Sequence, residues 1–266
     1  IQDGNTESLI RKYIHSGVVV NGQRQKTPVG TPQGGNLSPL LSNIMLNELD
    51  KELENRGLRF VRYADDCVIT VGSEAAAKRV MHSISRYIEK RLGLKVNMTK
   101  TKNVRPSKLK YLGFGFWKSS EGWKSRPHQD SVQSFKRKLK KLTGRKWSID
   151  LDNRIERLNW VIRGWINYFS MTNMKSVMEN IDERLRTRIR VIIWKQWKKK
   201  SRRLWGLLKL GVPKWIADKV SGWGDHYQLV AQRSVLKRAI SKPVLAKRGL
   251  VSCLDYYLKR HALKVS

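Results

Sequence analysis

"RYADDCVIT", residues 62–70, sets two adjacent carboxylates between two short apolar runs. Phe60, Val61 and Tyr63 lead in, and Val68, Ile69 and Val71 lead out. The runs predict two strands, with Asp65-Asp66 at a tight hairpin turn. Two readings stand side by side. Aspartate is common in turns because its side chain bonds nearby backbone N–H groups. An exposed pair of carboxylates is also what a magnesium ion takes. Four residues have a high false-positive rate, so the rest of the chain has to decide.

Outward from that stretch the chain alternates. "GVVVNGQRQKTPVG" (17–30) predicts a hairpin, with Asn21-Gly22 supplying the two positive-φ positions of a type I′ turn. "TESLIRKYIHSG" is a short helix pattern that needs a core to pack on, in what reads as mid-domain sequence, and the chain opens at Ile1 without Met. An N-terminal part of the domain is therefore expected upstream. In "GTPQGGNLSPLLSNIMLNELDKELENRG", Ser38 is expected to cap a helix and Pro39 to take its first position. Leu41, Ile44, Met45, Leu49 and Leu53 then fall on one face, and Gly57 ends the helix. "SEAAAKRVMHSISRYIEKRLG" is a second amphipathic helix with Val80, Ile84, Ile88 and Leu92 inward and Gly93 at its end. "LKVN" and "LKYLGFGFWK" read as strands. Residues 1–117 thus form an α+β pattern.

The character changes near residue 118. All ten tryptophans lie from Trp117 onward, and the strand signals fade. Helical patterns run over about 130–143, 150–171 and 176–199, followed to the C-terminus by short helices broken by Gly and Pro.

Composition limits what such a chain can do. Lys and Arg number 55 against 21 Asp and Glu in 266 residues, a formal net charge of +34. An imbalance of this size calls for a polyanionic partner, with nucleic acid first and an anionic membrane surface second. No apolar run is long enough to span a bilayer. Cys67 and Cys253 are the only cysteines, which argues against a disulfide framework and for a reducing interior. Five scattered histidines give no zinc-ligand spacing.

The acidic hairpin has company. Thr31-Pro32-Gln33-Gly34-Gly35 opens the helix after the first hairpin, where glycines permit close backbone approach and helix N–H groups can face phosphate. Lys100 and Lys102 follow downstream in "LKVNMTKTKNV". In order and spacing these pieces resemble the reverse transcriptases encoded by group II introns, also called maturases. "GTPQGGNLSPLLSN" resembles the family's nucleotide-pocket and template motif and "YADD" its catalytic hairpin. "GLKVNMTKTKNV" resembles the next palm motif, "YLGFGF" the primer grip and "RGWINYFS" the thumb. The stretch from "IDERLRTRIRVIIWKQWKKK" through "GVPKWIADK" to "GLVSCLDYYLKR" resembles the maturase-specific region.

The resemblance implies a polymerase palm in its C-terminal part (1–117), a helical thumb (118–175) and a helical maturase or DNA-binding domain (176–266). It implies an RNA-directed DNA polymerase using two Mg²⁺ ions, which also binds intron RNA to assist splicing and retrohoming. The alternative is a splicing-only, RNA-binding maturase. Asp65 and Asp66 would be the catalytic metal ligands. Pro32, Gln33 and Gly34 would border the incoming dNTP, with Lys100 near the triphosphate and Lys102 its rival. Tyr63, Ala64, Tyr111, Leu112, Gly113 and Phe114 would support primer and template, although Leu112 and Phe114 are equally well read as core. Partners would be intron RNA, an RNA template with DNA primer, and target DNA, in a cytoplasmic ribonucleoprotein. One departure stands out: no residue among 1–30 matches the family's further catalytic aspartate, and Asp3 in "QDGN" reads as a turn or cap residue. Residues 1–266 alone are accordingly expected not to polymerise. After His261 only "ALKVS" remains, as in bacterial members without the endonuclease domain.

"RLRTRIRVIIWKQWKKKSRR" (184–203) holds ten basic residues and no acid. Read as one helix, it buries Leu185, Ile189, Ile192 and Ile193 and leaves Arg184, Arg188, Lys195, Lys198, Lys199, Lys200 and Arg202 as candidate RNA phosphate contacts. Trp194, Trp197, Trp205, Trp215 and Trp223 are either base-stacking residues or core.

Overall fold

The computed structural model describes residues 3–25, 35–145 and 147–265. The chain is a mixed α+β protein that divides into two compact units, 1–104 and 105–266.

In the first unit, α1 (Gly4–Ile14) starts at Asp3, whose carboxylate accepts from the Thr6 amide at 2.9 Å. Asp3 is thus a helix cap, as its sequence setting suggests. β1 (Val18–Val20) and β2 (Gln23–Gln25) pair antiparallel about Asn21 and Gly22, both at positive φ. α2 (Ser38–Asn55) begins one residue earlier than expected: Leu37 is the N-cap without a side-chain bond, and the Ser38 amide bonds the Gly35 carbonyl. β3 (Arg59–Tyr63) and β4 (Asp66–Thr70) follow, then α3 (Glu74–Arg91), capped by the Ser73 hydroxyl on the Ala76 amide.

The small core of this unit is Leu49, Leu53 and Ile84, with Phe60, Cys67, Ile69, Val80, Ile88 and Leu92 packed around them. Among the described residues the core takes Leu49 and Leu53 of the expected apolar face of α2, while Ile44 and Met45 are exposed. The expected "LKVN" strand does not form. Residues 94–97 run irregularly into a turn in which the Asn97 side chain accepts from the Thr99 and Lys100 amides. A side chain that satisfies the backbone locally competes with a sheet ladder.

In the second unit, β5 (Lys110–Tyr111), β6 (Phe114–Ser119) and β7 (Gly122–Pro127) make a three-stranded antiparallel sheet. β7 lies beyond residue 118, where strand signals fade, because Trp123 is its one large apolar residue. Helices follow: α4 (Gln129–Leu142), α5 (Leu151–Phe169) and α6 (Lys175–Gln196). Leu158, Ile162 and Ile166 of α5 meet Met178, Ile181, Leu185 and Ile189 of α6 in the main core.

The basic stretch is not one helix. α6 stops at Gln196, Trp197–Lys199 make a corner, and α7 (Lys200–Lys209) sets off anew. The corner is fixed by Arg203, whose guanidinium donates to the Trp197 carbonyl at 2.9 Å and to Asp225 at 2.8 Å. α8 (Lys214–Ser221), α9 (Tyr227–Gln232), α10 (Ser234–Ala239), α11 (Lys242–Lys247) and α12 (Cys253–Val265) complete the unit. A second core gathers Trp194, Leu207, Ala217, Val220, Val230 and Leu236.

Candidate active site and nucleic-acid interface

β3 and β4 pair with Tyr63 opposite Asp66, leaving Ala64-Asp65 as a two-residue turn. Ala64 sits at φ 51° and Asp65 does not share the positive φ. A positive φ at the first central position alone is the pattern of a type II′ turn, which normally carries glycine there. Alanine in that place is strained.

The turn is held from two sides by α2. Arg62 donates through Nε and Nη2 to both oxygens of Asp50, at 2.7 and 2.5 Å, and through Nη1 to Asn43 and to the Ala64 carbonyl, each at 3.0 Å. The Ser42 hydroxyl points at Asp65 from 3.4 Å. Asp65 and Asp66 themselves are exposed at the tip. Behind them, burial and then the Asp50 carboxylate push the Cys67 thiol up to about 11.

The donor set suits a hard divalent cation. Two adjacent carboxylates give oxygen ligands and leave coordination positions for water and substrate phosphate, the arrangement magnesium favours. Among the described residues no group of three or more His, Cys, Asp or Glu side chains comes together to hold a metal ion.

The other expected nucleotide contacts divide. Pro32, Gln33 and Gly34 lie outside the described residues. Lys100 and Lys102 are both exposed beside the Asn97 turn.

The "YLGFGF" stretch forms a second tight hairpin, with Tyr111 opposite Phe114 and both Leu112 (φ 49°) and Gly113 (φ 80°) at positive φ. Its turn is clamped. Tyr168 donates to the Leu112 carbonyl at 2.9 Å, and the His128 amide and Ser131 hydroxyl donate to the Gly113 carbonyl at 2.8 and 2.9 Å. Phe114 packs on Tyr168 and Phe169, with ring centroids 5.4 and 4.9 Å away. A cavity of about 300 Å³ opens beside the turn, lined by Ser134, Phe135, Lys138 and Trp165 among others.

The basic candidates also divide. Arg184, Lys198, Lys199, Lys200 and Arg202 are exposed. Arg188 is half-buried and donates to the Lys140 carbonyl and to the hydroxyl and carbonyl of Thr143, while Lys195 donates to the Arg145 carbonyl. Both therefore brace the end of α4. Trp194 is buried and donates to the Gly224 carbonyl, and Trp197 and Trp223 pack on the second core. Trp205 and Trp215 are 48% and 74% exposed. Arg202 and Lys209 lie over the Trp205 ring at 4.3 and 4.9 Å, giving an aromatic face flanked by cations. No described helix is long and apolar enough to cross a membrane.

Sequence reasoning missed Arg62, Asp50 and Asn43. Nothing in their spacing marks them, because α2 and β3 have to be folded together before the three meet.

Residues 3–116 match the reverse transcriptase (RNA-dependent DNA polymerase) family, and residues 132–211 match the group II intron maturase-specific domain. The group II intron-encoded protein LtrA of Lactococcus lactis subsp. cremoris is 39% identical over 88 residues, 32% of this chain and 15% of that protein. Protein YkfC of Escherichia coli K12 is 32% identical over 136 residues, 38% of this chain and 36% of that protein. A 91 kDa protein in the cob intron of Schizosaccharomyces pombe is 25% identical over 257 residues, 65% of this chain and 32% of that protein. With both domains present in this order, the chain belongs to the group II intron reverse transcriptase/maturase family. It spans well under half the length of these relatives.

Proposed function

We propose that the protein is an RNA-directed DNA polymerase that also binds intron RNA, assisting its splicing and retrohoming. The observation that carries the polymerase reading is the braced β3–β4 turn, which holds Asp65 and Asp66 outward at the tip of a strained hairpin. On this reading residues 1–117 are the C-terminal part of a palm, 118–175 a thumb and 176–266 a maturase or DNA-binding region.

Asp65 and Asp66 would hold two Mg²⁺ ions. With Mg²⁺ held there, the site would supply Lewis-acid activation of a primer 3′-hydroxyl and charge stabilisation of the pyrophosphate leaving group. The chain's own residues contribute position and charge, which is most of the catalysis in in-line phosphoryl transfer. Arg62 and Ser42 fix the acidic turn. Pro32, Gln33 and Gly34 border the dNTP, and Lys100 or Lys102 neutralises its triphosphate. Tyr63, Ala64 and the clamped turn Tyr111–Phe114 support primer and template. Arg184, Lys198, Lys199, Lys200 and Arg202 neutralise RNA phosphates, while Trp205 and Trp215 offer faces for stacking. Arg188 donates to the Thr143 hydroxyl and to two carbonyls, and Lys195 to the Arg145 carbonyl, which supports a bracing role for both.

The test is Asp65→Asn in the full-length protein, assayed for Mg²⁺-dependent primer extension and for intron RNA affinity. Extension should vanish and affinity should stay within about twofold. Extension at the wild-type rate would refute the metal assignment. If the wild-type protein promotes splicing but never extends a primer, the protein is a splicing-only maturase.

A further inference from the structure

We propose that Arg62 is a positioning residue for the acidic pair. It locks the peptide between Ala64 and Asp65 in one of two orientations, and it uses α2 as the anvil. The inference rests on the polymerase reading above and extends it to residues that touch neither metal nor substrate.

The geometry is specific. A four-residue turn over Tyr63–Asp66 has one central peptide, the one joining Ala64 to Asp65, and rotating that peptide converts one turn type into another. Its carbonyl belongs to Ala64, and that carbonyl accepts from Arg62 Nη1 at 3.0 Å. Its N–H belongs to Asp65. Whatever fixes this plane therefore fixes the backbone from which the Asp65 carboxylate departs.

The turn has reason to need fixing. Ala64 occupies φ 51°, where a side chain is disfavoured and glycine is not. Left to itself, the loop gains by rearranging. Arg62 resists because every nitrogen of its guanidinium is committed at once. Nε and Nη2 form a fork with Asp50, and Nη1 bridges Asn43 and the turn. Asn43 and Asp50 are seven residues apart, two turns of α2, and so share one face of that helix. The Arg62 side chain is only 12% exposed, so the fork is shielded from water. A planar, five-donor group can hold such a set; a lysine ammonium cannot reach the carboxylate and the turn carbonyl together.

The experiment uses the full-length protein, with steady-state primer extension at saturating dNTP and template–primer and a Mg²⁺ titration. Arg62→Lys should lower kcat at least tenfold and raise the Mg²⁺ concentration for half-maximal rate severalfold. KM for template–primer and intron RNA affinity should stay within about twofold. Adding Ala64→Gly to Arg62→Lys should recover at least threefold of the lost kcat, because glycine accepts the positive φ without the clamp. Wild-type kcat and Mg²⁺ dependence in Arg62→Lys would overturn the proposal. So would a kcat loss that glycine does not rescue and that leaves the Mg²⁺ dependence untouched, since Arg62 would then serve fold stability alone. If Arg62→Lys does not fold, Asp50→Asn decides: it weakens one arm of the fork, and should shift the Mg²⁺ dependence in the same direction by less, while a wild-type profile sinks the clamp. Asp65→Asn runs beside these. If it is inactive while Arg62→Lys is normal, the clamp alone is wrong; if it is fully active, the polymerase reading itself has fallen.

Discussion

The same substitution, glycine to alanine inside a helix, should have opposite signs at two places in the second unit. Gly206 lies inside α7 and Gly164 inside α5. In a helix interior alanine is preferred over glycine by about 1 kcal/mol, partly because glycine loses more freedom on folding. At Gly164 an added Cβ meets nothing within 4 Å, so the full gain should appear. At Gly206 the same Cβ would stand 2.6, 2.7 and 2.8 Å from three atoms of the Trp197 indole. Carbon atoms sit comfortably at about 3.5–4.0 Å, so each contact is roughly 1 Å too short.

The indole cannot retreat freely. Trp197 packs against both cores, and its carbonyl is held by Arg203. Overpacking costs about 1–3 kcal/mol, and three simultaneous clashes with a rigid ring belong at the upper end. Less the helix gain, Gly206→Ala should destabilise by about 2 kcal/mol. At about 2–4 °C per kcal/mol for a unit of this size, Gly164→Ala should raise Tm by roughly 2–4 °C and Gly206→Ala should lower it by roughly 4–8 °C. Thermal melts followed by circular dichroism measure both. Two shifts of the same sign would refute the reasoning that Trp197 closes against α7.

Asp182 is buried in α6 and accepts from Ser252 Oγ at 2.6 Å and the Cys253 amide at 2.7 Å, so it holds the start of α12. Asp182→Ala should cost about 3 kcal/mol and expose α12 to proteolysis, which limited digestion would reveal. Replacing Lys198, Lys199 and Lys200 by Gln should weaken RNA binding and flatten the slope of log K against log salt by about 2–3, with little change in discrimination between cognate and unrelated RNA; an unchanged slope in a salt titration would mean these lysines are merely solvated. With its thiol pushed to about 11, Cys67 should alkylate slowly at pH 8 and progressively faster towards pH 11. Because the folded state keeps that proton while the unfolded chain gives it up near 9, Cys67 contributes stability that is full below pH 9 and is lost between 9 and 11; denaturant melts across that range should show the decline.

Much of this protein is legible in its sequence because the signals are local. Asn21-Gly22 and the period-two runs about Asp65-Asp66 specify hairpins from the φ values and side-chain alternation they require. The spacing of Val80, Ile84, Ile88 and Leu92 specifies the buried side of α3. The order of the acidic, Gly-rich and basic motifs specifies the family. The sequence misleads where the deciding contact comes from far along the chain. Residues 184–203 read as one basic helix, yet Arg203 turns back on Trp197 and Asp225 and makes a corner. Arg188 reads as a phosphate contact, yet it reaches 45 residues back to Thr143. The apolar stripe of α2 is periodic along its length, but among the described residues the core buries Leu49 and Leu53 while Ile44 and Met45 stay exposed. Nothing in the sequence marks Arg62, and only the meeting of β3 with α2 adds three oxygen acceptors to the Ala64 carbonyl and gives the strained turn a brace. Periodicity tells which face of an element is apolar. Which partner arrives, and which charge is spent on a carbonyl rather than left for a phosphate, is decided by contacts that exist only once distant segments are brought together.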